Sequence, residues 1–277
     1  MSANANLPNL AGVKKIVAVS SGKGGVGKST VTANLAAALS ASGMRVGVLD
    51  ADIYGPSQAM MFGVPAGTRP QTAEDKYFIP VVAHGIQTMS ISYLIDENTP
   101  MVWRGPMVSS ALQQLLMQTQ WDALDVLLID MPPGTGDIQL TLSQKVPVDG
   151  AIVVTTPQDI ALLDAKKGIE MFRKVEIPVL GVVENMSTHI CTNCGHVDPV
   201  FGEGGGAKLA EQYQTRLLGK LPLAMPIRIQ ADAGTPVVLS EPDSEFTAIY
   251  KALAAEVQAE LAAKVARTAP VIQFSDD

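Results

Sequence analysis

The most constraining feature of this sequence is a short glycine-rich segment near its N-terminus. Residues 22–29 read Gly-Lys-Gly-Gly-Val-Gly-Lys-Ser and fit the pattern G-x-x-x-x-G-K-[S/T]. An apolar run, Lys15 to Ser20, precedes the segment, and an alanine-rich helical pattern, Ser29 to Ser42, follows it. Glycines let the backbone turn tightly and aim successive N–H groups at anionic oxygens, and the helix adds its positive N-terminal end. The pattern therefore predicts a strand, a loop and a helix that together bind phosphate groups.

Each position of this loop has an expected task. The expected ligand is ATP with Mg²⁺. Lys28 is expected to reach the β- and γ-phosphates of the ATP, and the Ser29 hydroxyl is expected to bind the metal. The residues expected to bind the nucleotide in the loop are Gly22, Lys23, Gly24, Gly25, Val26, Gly27, Lys28, Ser29 and Thr30.

Carboxylates at the ends of two other apolar runs support a metal–nucleotide site. Asp130 ends the run Val126 to Asp130, which is typical of the aspartate that holds Mg²⁺ directly or through water, and Gly134 after it can offer an N–H to the γ-phosphate. Asp50 ends the run Arg45 to Asp50 and Asp52 lies two residues later, and one of them can orient an attacking water. A plain turn at Asp130 and a helix or turn cap at Asp50 remain the alternatives.

The spacing of apolar runs indicates the fold class. Fully apolar runs separated by helical patterns predict a three-layer α/β fold, in which helices cover both faces of a mostly parallel central sheet. We expect a flexible tail over 1–12, a single domain over 13–266 and a second tail over 267–277. Further strands are predicted at Val81–Ile91 (one or two), Val126–Asp130, Gly150–Thr155, Val179–Glu184 and Leu217–Leu221, and further helices at Met107–Thr119, Ile160–Val175 and Phe246–Val265.

Composition excludes several functional classes. Hydrophobic residues make up 47% of the chain and charged residues 17%, so a large core can form. A net charge of −7 argues against a broad nucleic-acid surface. No apolar stretch reaches the roughly 18 residues that a membrane span needs. Residues 1–6 have no basic start, no arginine and no apolar run, unlike a secretory or mitochondrial leader, so the expected location is the cytoplasm.

Several motifs together resemble one family of ATPases. The loop is similar to the deviant Walker A pattern K-G-G-x-G-K-[S/T], found in septum-positioning and plasmid-partition ATPases, in nitrogenase iron protein and in the Mrp/ApbC iron–sulfur carriers. Over residues 12 to 265 the chain resembles the Mrp branch. The motifs that carry this resemblance are Asp50–Ser57, Trp103–Met107, Asp130–Asp137, Glu184–Ser187 and Cys191–Gly195.

The resemblance implies roles for particular residues. Lys23 reaches across a homodimer interface to the partner's nucleotide, Asp52 positions the attacking water, and Asn185 contacts the adenine. It also implies slow ATP hydrolysis that is coupled to cluster transfer. The N-terminal four-cysteine cluster of eukaryotic cytosolic relatives has no counterpart here, so a second, permanently bound cluster is not expected.

The two cysteines, Cys191 and Cys194, have the spacing of a metal-binding pair. Two thiolates do not complete four-fold ligation, but a symmetric dimer supplies four. A labile [4Fe–4S] cluster shared between two subunits is the leading interpretation. A zinc site with His189 and His196, a redox dithiol and a plain solvent loop remain open alternatives.

Three functions are weighed on these features. The first is a homodimeric ATPase that receives an iron–sulfur cluster from scaffold proteins and hands it to apo-proteins. The second is a spatial organiser of the septum or partition type with a zinc or redox cysteine pair, but the closing helix and its acidic end, Ser275 to Asp277, suit neither a membrane nor DNA. The third, an ATP-driven reductase, needs a cysteine soon after Asp130, and none occurs before Cys191.

Overall fold

The computed structural model describes residues 8–74, 76–95 and 105–265. The described strands form an eight-stranded sheet and two short hairpins. The strands are β1 Ile16–Ser20, β2 Val46–Asp50, β3 Thr72–Ala73, β4 Tyr77–Phe78, β5 Val81–Ala83, β6 Ile86–Ser90, β7 Val126–Asp130, β8 Gly150–Thr155, β9 Val179–Glu184, β10 His189–Ile190, β11 Val197–Asp198 and β12 Arg216–Lys220.

The large sheet has the order β12-β9-β8-β1-β7-β2-β6-β5. Its neighbouring strands run parallel, except that β5 is antiparallel to β6. Asp50 lies beside Asp130 in the β2–β7 register, and Thr155 lies beside Glu184 in the β8–β9 register. Because parallel strands end on the same side, the segments that follow β1, β2, β7, β8 and β9 meet at one edge of the sheet.

Helices cover both faces of the sheet. The helices are α1 Lys28–Ala41, α2 Gln58–Met61, α3 Gly105–Gln118, α4 Asp137–Lys145, α5 Asp159–Lys174, α6 Gly205–Gln212, α7 Met225–Asp232, α8 Val237–Ser240 and α9 Glu245–Val265. One buried cluster joins the sheet to α1, α7, α8 and α9, and a second joins the opposite face to α3, α4, α5 and α6. This arrangement confirms the predicted three-layer α/β fold with a mostly parallel sheet.

The secondary-structure predictions were accurate where the pattern was long and apolar. The six strands predicted on apolar runs form within one residue of their expected starts, and the uncertain stretch Val81–Ile91 forms two strands. The helices α2, α4, α6, α7 and α8 were not predicted, because each is short and follows a Gly- or Pro-containing turn. The two cysteines lie in the turn of a short hairpin, in which His189 pairs with Asp198.

The expectation of a flexible tail over 1–12 is wrong for the part that the structure describes. Residues Pro8–Leu10 form a 3₁₀ helix, and Leu10 is 1% exposed within the core on the α3 side. The Asn9 amide donates hydrogen bonds to the carbonyls of Leu116 and Thr119 at the end of α3. Burial of Leu10 and the hydrogen bonds of Asn9 thus attach this segment to the domain. Residues 1–7 and the second predicted tail, 267–277, lie outside the described residues, as do Trp103 and Arg104.

Among the helices of the described segments, none combines the length and the apolar character that crossing a bilayer requires.

Replacement of Leu10 tests whether the N-terminal segment belongs to the core. We expect Leu10→Ala to lower the free energy of unfolding by about 2–5 kcal/mol, since it removes a fully buried side chain and leaves a cavity. Leu163→Ala in α5 is the matched control, because that leucine is 53% exposed and its loss opens no cavity. Urea denaturation followed by circular dichroism measures both. Equal midpoints for the two variants would show that the segment does not contribute to stability.

Candidate nucleotide site and cysteine hairpin

The glycine-rich loop lies between β1 and α1, at the edge where the parallel strands end. Gly25 and Gly27 both have φ of +82°, a left-handed conformation that suits glycine. Gly22 has a different requirement, because a Cβ there would overlap the backbone of Asp164 in α5. The loop is therefore shaped by backbone conformation at two glycines and by close packing at a third.

A buried ion pair joins the loop to the end of β7. The Lys28 ammonium lies 2.6 Å from Asp130 Oδ1, and the two side chains are 6% and 0% exposed. Lys28 Nζ also lies 3.1 Å from the Ser29 hydroxyl, and the Thr32 hydroxyl donates to Asp130 at 3.1 Å. The oxygens of Ser29 and Asp130 therefore both contact the Lys28 ammonium, and both are of the kind that the hard cation Mg²⁺ prefers. Their roles at Mg²⁺ remain predictions.

Gln58, at the start of α2, is a site residue that the sequence analysis missed. Its amide donates to Asp130 Oδ2 at 2.8 Å and to the Ser29 carbonyl at 3.1 Å, and the residue is 1% exposed. Asp130 thus accepts from Lys28, Thr32 and Gln58 together. The signal available in the sequence was its position, six residues after Asp52 in a motif-rich stretch, but nothing there showed that this polar side chain is buried.

The two aspartates at the end of β2, Asp50 within the strand and Asp52 just after it, have separate tasks. Asp50 is fully buried and accepts backbone N–H groups from Ser57, Gln58 and Asp52, so it caps α2, as the alternative interpretation allowed. Burial, and then the charge of Asp130, raise the pKa of Asp50 above its ordinary value. Asp52 is half-buried, and burial raises its pKa as well, while the charge of Lys28 opposes that shift. Of the two residues, only Asp52 is partly exposed.

Other predicted loop residues differ in accessibility. Lys23 is exposed, and within the described segments its ammonium takes part in no ion pair. Val26 is buried, and Thr30 is half-buried. The N–H of Gly134, expected to face the γ-phosphate, donates here to the Ser21 carbonyl at 2.8 Å. The loop after β7 is therefore attached directly to the start of the phosphate loop.

Asn185 lies against the opposite side of the phosphate loop. It is 7% exposed, and its side-chain nitrogen donates to the Val26 carbonyl at 2.8 Å. Its backbone N–H donates to the Thr155 carbonyl at 2.7 Å, so the end of β9 fixes its position. Contact with an adenine remains a prediction.

The cysteines sit at the tip of the hairpin formed by β10 and β11. The Cys191 N–H donates to the His196 carbonyl, and the Gly195 N–H donates to the Cys191 carbonyl, each at 2.9 Å. Gly195 has φ of +71°, which closes the turn. The backbone N–H groups of Cys194 and Asn193 point at the Cys191 sulfur and lower the pKa of its thiol. The turn therefore favours the thiolate, the form of cysteine that ligates metals.

The same hairpin bears on the zinc alternative. Within residues 8–74, 76–95 and 105–265, no three His, Cys, Asp or Glu side chains come together as a metal-binding group. His189 pairs with Asp198 in the hairpin ladder, away from the tip where both cysteines lie. His189 and His196 therefore do not complete a Cys₂His₂ site within one described chain.

A parallel sheet whose first strand leads through a glycine loop into a helix, beside a buried aspartate that ends another strand, is the arrangement of a P-loop nucleotide-binding protein. Comparison with known families narrows this class. The chain belongs to the ParA family, and the matching family description, "NUBPL iron-transfer P-loop NTPase", covers residues 12–258. This membership confirms the resemblance inferred from the motifs.

Proteins from bacteria and a mammal are similar to this chain over most of its length. A protein of Pseudomonas fragi named iron-sulfur cluster carrier protein is 66% identical over 91% of this chain and 88% of its own length. A protein of the same name from Escherichia coli K12 is 61% identical, over 92% of this chain and 69% of its own length. A mouse protein named iron-sulfur cluster transfer protein NUBPL is 49% identical over 89% and 77%.

Solved structures confirm the fold. A nucleotide-binding protein from Archaeoglobus fulgidus, in complex with ADP, has a TM-score of 0.75 and 36% identity over 87% of this chain and 94% of that one. The cell division ATPase MinD of Pyrococcus furiosus has a TM-score of 0.65 at 22% identity, over 89% of this chain and 99% of that one. At this identity the MinD likeness concerns the fold alone.

Removal of the loop lysine tests the energetics of the buried pair. We expect Lys28→Ala to lower the free energy of unfolding by about 3–5 kcal/mol in nucleotide-free buffer, because it leaves the buried Asp130 carboxylate without its cation. Lys14→Ala is the matched control, since Lys14 pairs with Asp125 at 2.7 Å on the surface and is 67% exposed. The decrease in the free energy of unfolding should be much smaller for Lys14→Ala, because water screens the exposed pair. Urea titrations of the two variants with coincident midpoints would contradict this account.

Proposed function

We propose that this protein is an ATP-hydrolysing carrier of a [4Fe–4S] cluster, which it binds between two copies of itself and transfers to apo-proteins. The observation that carries this proposal is the Cys191 turn, in which backbone N–H groups favour a thiolate, on a segment that leaves the same sheet edge as the phosphate loop. The relatives named iron-sulfur cluster carrier or transfer proteins support it. The cluster is cargo rather than a resident cofactor.

The number of thiols supports a shared cluster. Cys191 and Cys194 are free, and Cys194 is exposed at the hairpin tip. Because the described part of one chain holds no third ligand near them, a second copy related by two-fold symmetry is the simplest source of the other two thiolates. A cluster held at exposed tips of two chains is open to exchange, which suits delivery.

The nucleotide chemistry follows from the loop. Lys28, now paired with Asp130, turns to the β- and γ-phosphates of ATP, while the N–H groups of the glycine loop bind phosphate oxygens. Ser29, and Asp130 through water, would hold Mg²⁺, which would neutralise phosphate charge. Asp52 positions the attacking water, and Lys23, exposed and without an ion pair in the described segments, reaches the partner's nucleotide. Slow hydrolysis is coupled to cluster transfer through this dimer.

The proposed partners are iron–sulfur scaffold proteins and apo-proteins, and the proposed location is the cytoplasm, without a nucleic-acid or membrane surface. A spatial organiser of the septum type shares the fold, but the resemblance of this chain to MinD is limited to that level. In that alternative the cysteine pair would serve as a zinc or redox site, and among the described residues no third metal-ligating side chain joins it.

Cysteine variants test the cargo. We expect Cys191→Ala and Cys194→Ala to lose cluster binding on anaerobic reconstitution, measured by iron and sulfide content and visible absorbance, because each removes two of the four thiolates of the symmetric dimer. ATP affinity by calorimetry should stay nearly unchanged. His196→Ala is the control at the same turn and should retain the cluster. A Cys191→Ala, Cys194→Ala double variant that still binds iron and sulfide would remove the proposal.

Mixing two inactive variants tests whether Lys23 acts in the partner subunit. Lys23→Ala and Asp52→Asn should each be nearly inactive as ATPases while still binding ATP. In a mixed dimer, the Lys23→Ala subunit keeps its own Asp52 and receives Lys23 from its partner, so one complete site forms. Random pairing of equal amounts should then restore about a quarter of the normal phosphate release, since about half the dimers are mixed and each has one good site. No recovery on mixing would mean that Lys23 acts within its own chain or not at all.

A further inference from the structure

We propose that Asn185 is a positioning residue that transmits the state of the phosphate loop to the cysteine hairpin within a single chain. The inference rests on the proposed carrier function, because it assigns the route by which nucleotide binding alters the cluster-binding cysteines. It concerns a contact to the protein backbone, separate from any contact of Asn185 with the base.

The first step of this route is the contact with the loop. Asn185 Nδ2 donates to the Val26 carbonyl at 2.8 Å, so it holds the peptide group between Val26 and Gly27. The fit is close, because a Cβ on Gly27 would lie 2.3 Å from that nitrogen. The Val26–Gly27 peptide belongs to the part of the loop that surrounds the phosphates. A rearrangement of this peptide on nucleotide binding must therefore move Asn185 or break the hydrogen bond.

The second step is the short, stiff connection from Asn185 to the hairpin. Met186 has φ of +55°, a left-handed conformation that a side chain of this size rarely adopts, so neighbouring contacts must hold it in place. Those contacts are present, since the Ser187 N–H donates to the Leu221 carbonyl and the Leu223 N–H donates to the Thr188 carbonyl. The hairpin strand β10 begins at the next residue, His189. No free loop separates Asn185 from Cys191.

The third step is the closure of the hairpin at its base. The buried Glu184 carboxylate accepts from the Ser187 hydroxyl at 2.8 Å and from the backbone N–H of Gly206, at the start of α6. The Glu184 side chain, at the end of β9, therefore binds both ends of the segment that contains the hairpin, residues 185–205. With its base closed in this way, the hairpin shifts as a unit when the turn at 185–187 shifts.

Thiol reactivity in the full-length, cluster-free protein tests the route. We expect saturating MgATP to change the alkylation rate of Cys191 and Cys194 by iodoacetamide at least about fivefold, the lower end of typical coupling between sites. The change should be the same at low and high protein concentration, because a link inside one chain does not depend on dimer formation. In Asn185→Ala, with ATP occupancy verified by calorimetry and raised to saturation, the change should disappear.

Two further variants complete the test. Asn34→Ala is the matched control, because Asn34 is also buried and donates to a carbonyl beside the loop, that of Thr30, but has no connection to the hairpin. It should keep the full response. Met186→Gly favours the left-handed turn, so it folds, but it adds freedom between Asn185 and the hairpin and should weaken the response.

The outcomes separate the inference from the proposed function. A wild-type chain with no change in thiol reactivity, or a full response retained in Asn185→Ala, overturns the inference. A response that appears only at high protein concentration also overturns it, because the signal then passes through dimerisation. Failure of the carrier function is a different result: the reconstituted protein binds no iron, whatever its thiols do.

Discussion

The ion pair between Lys28 and Asp130 is the interaction on which the organisation of this molecule depends. An ammonium and a carboxylate are withdrawn from water at the end of a parallel sheet, and such a pair is tolerated only when its remaining hydrogen-bonding capacity is satisfied. At Asp130, Thr32 and Gln58 donate the further hydrogen bonds that the carboxylate needs. Gln58 can do so only because Asp50 caps the start of α2 and holds it against the loop. The arrangement of the β2 and β7 ends thus follows from the chemistry of one pair.

The same pair is part of the route that we propose between the nucleotide site and the cysteine hairpin. The phosphate loop is held from one side by the segments that follow β2 and β7, and from the other by Asn185 at the end of β9. In the proposed mechanism Lys28 exchanges Asp130 for phosphate oxygens when ATP binds, so both sides of the loop would experience the change. The side at Asn185 leads directly into the hairpin that carries Cys191 and Cys194. A carrier whose cargo responds to nucleotide needs a connection of this kind.

The structure supports some sequence predictions and corrects others for identifiable reasons. The strand, loop and helix around Gly22 to Ser29 were predictable because the requirement for phosphate binding is local. The N-terminal tail was predicted incorrectly at its inner end, because burial of Leu10 depends on α3, about a hundred residues away in sequence. Gln58 was missed because a glutamine on a four-residue helix has no periodic pattern, and only the fold shows that it is buried.

The sequence by itself determined the class of fold, the phosphate loop and the cysteine pair. These features depend on residue type at short spacing, through backbone conformation at glycine, the apolar character of buried strands and the reactivity of thiols. Only the tertiary structure decided that Asp50 is a cap while Asp52 stays accessible, that Asn185 holds Val26, and that the cysteines sit on a hairpin closed by Glu184. Each of these is a contact between segments far apart in the chain, and such contacts exist only after the parallel strands have brought their ends to one edge.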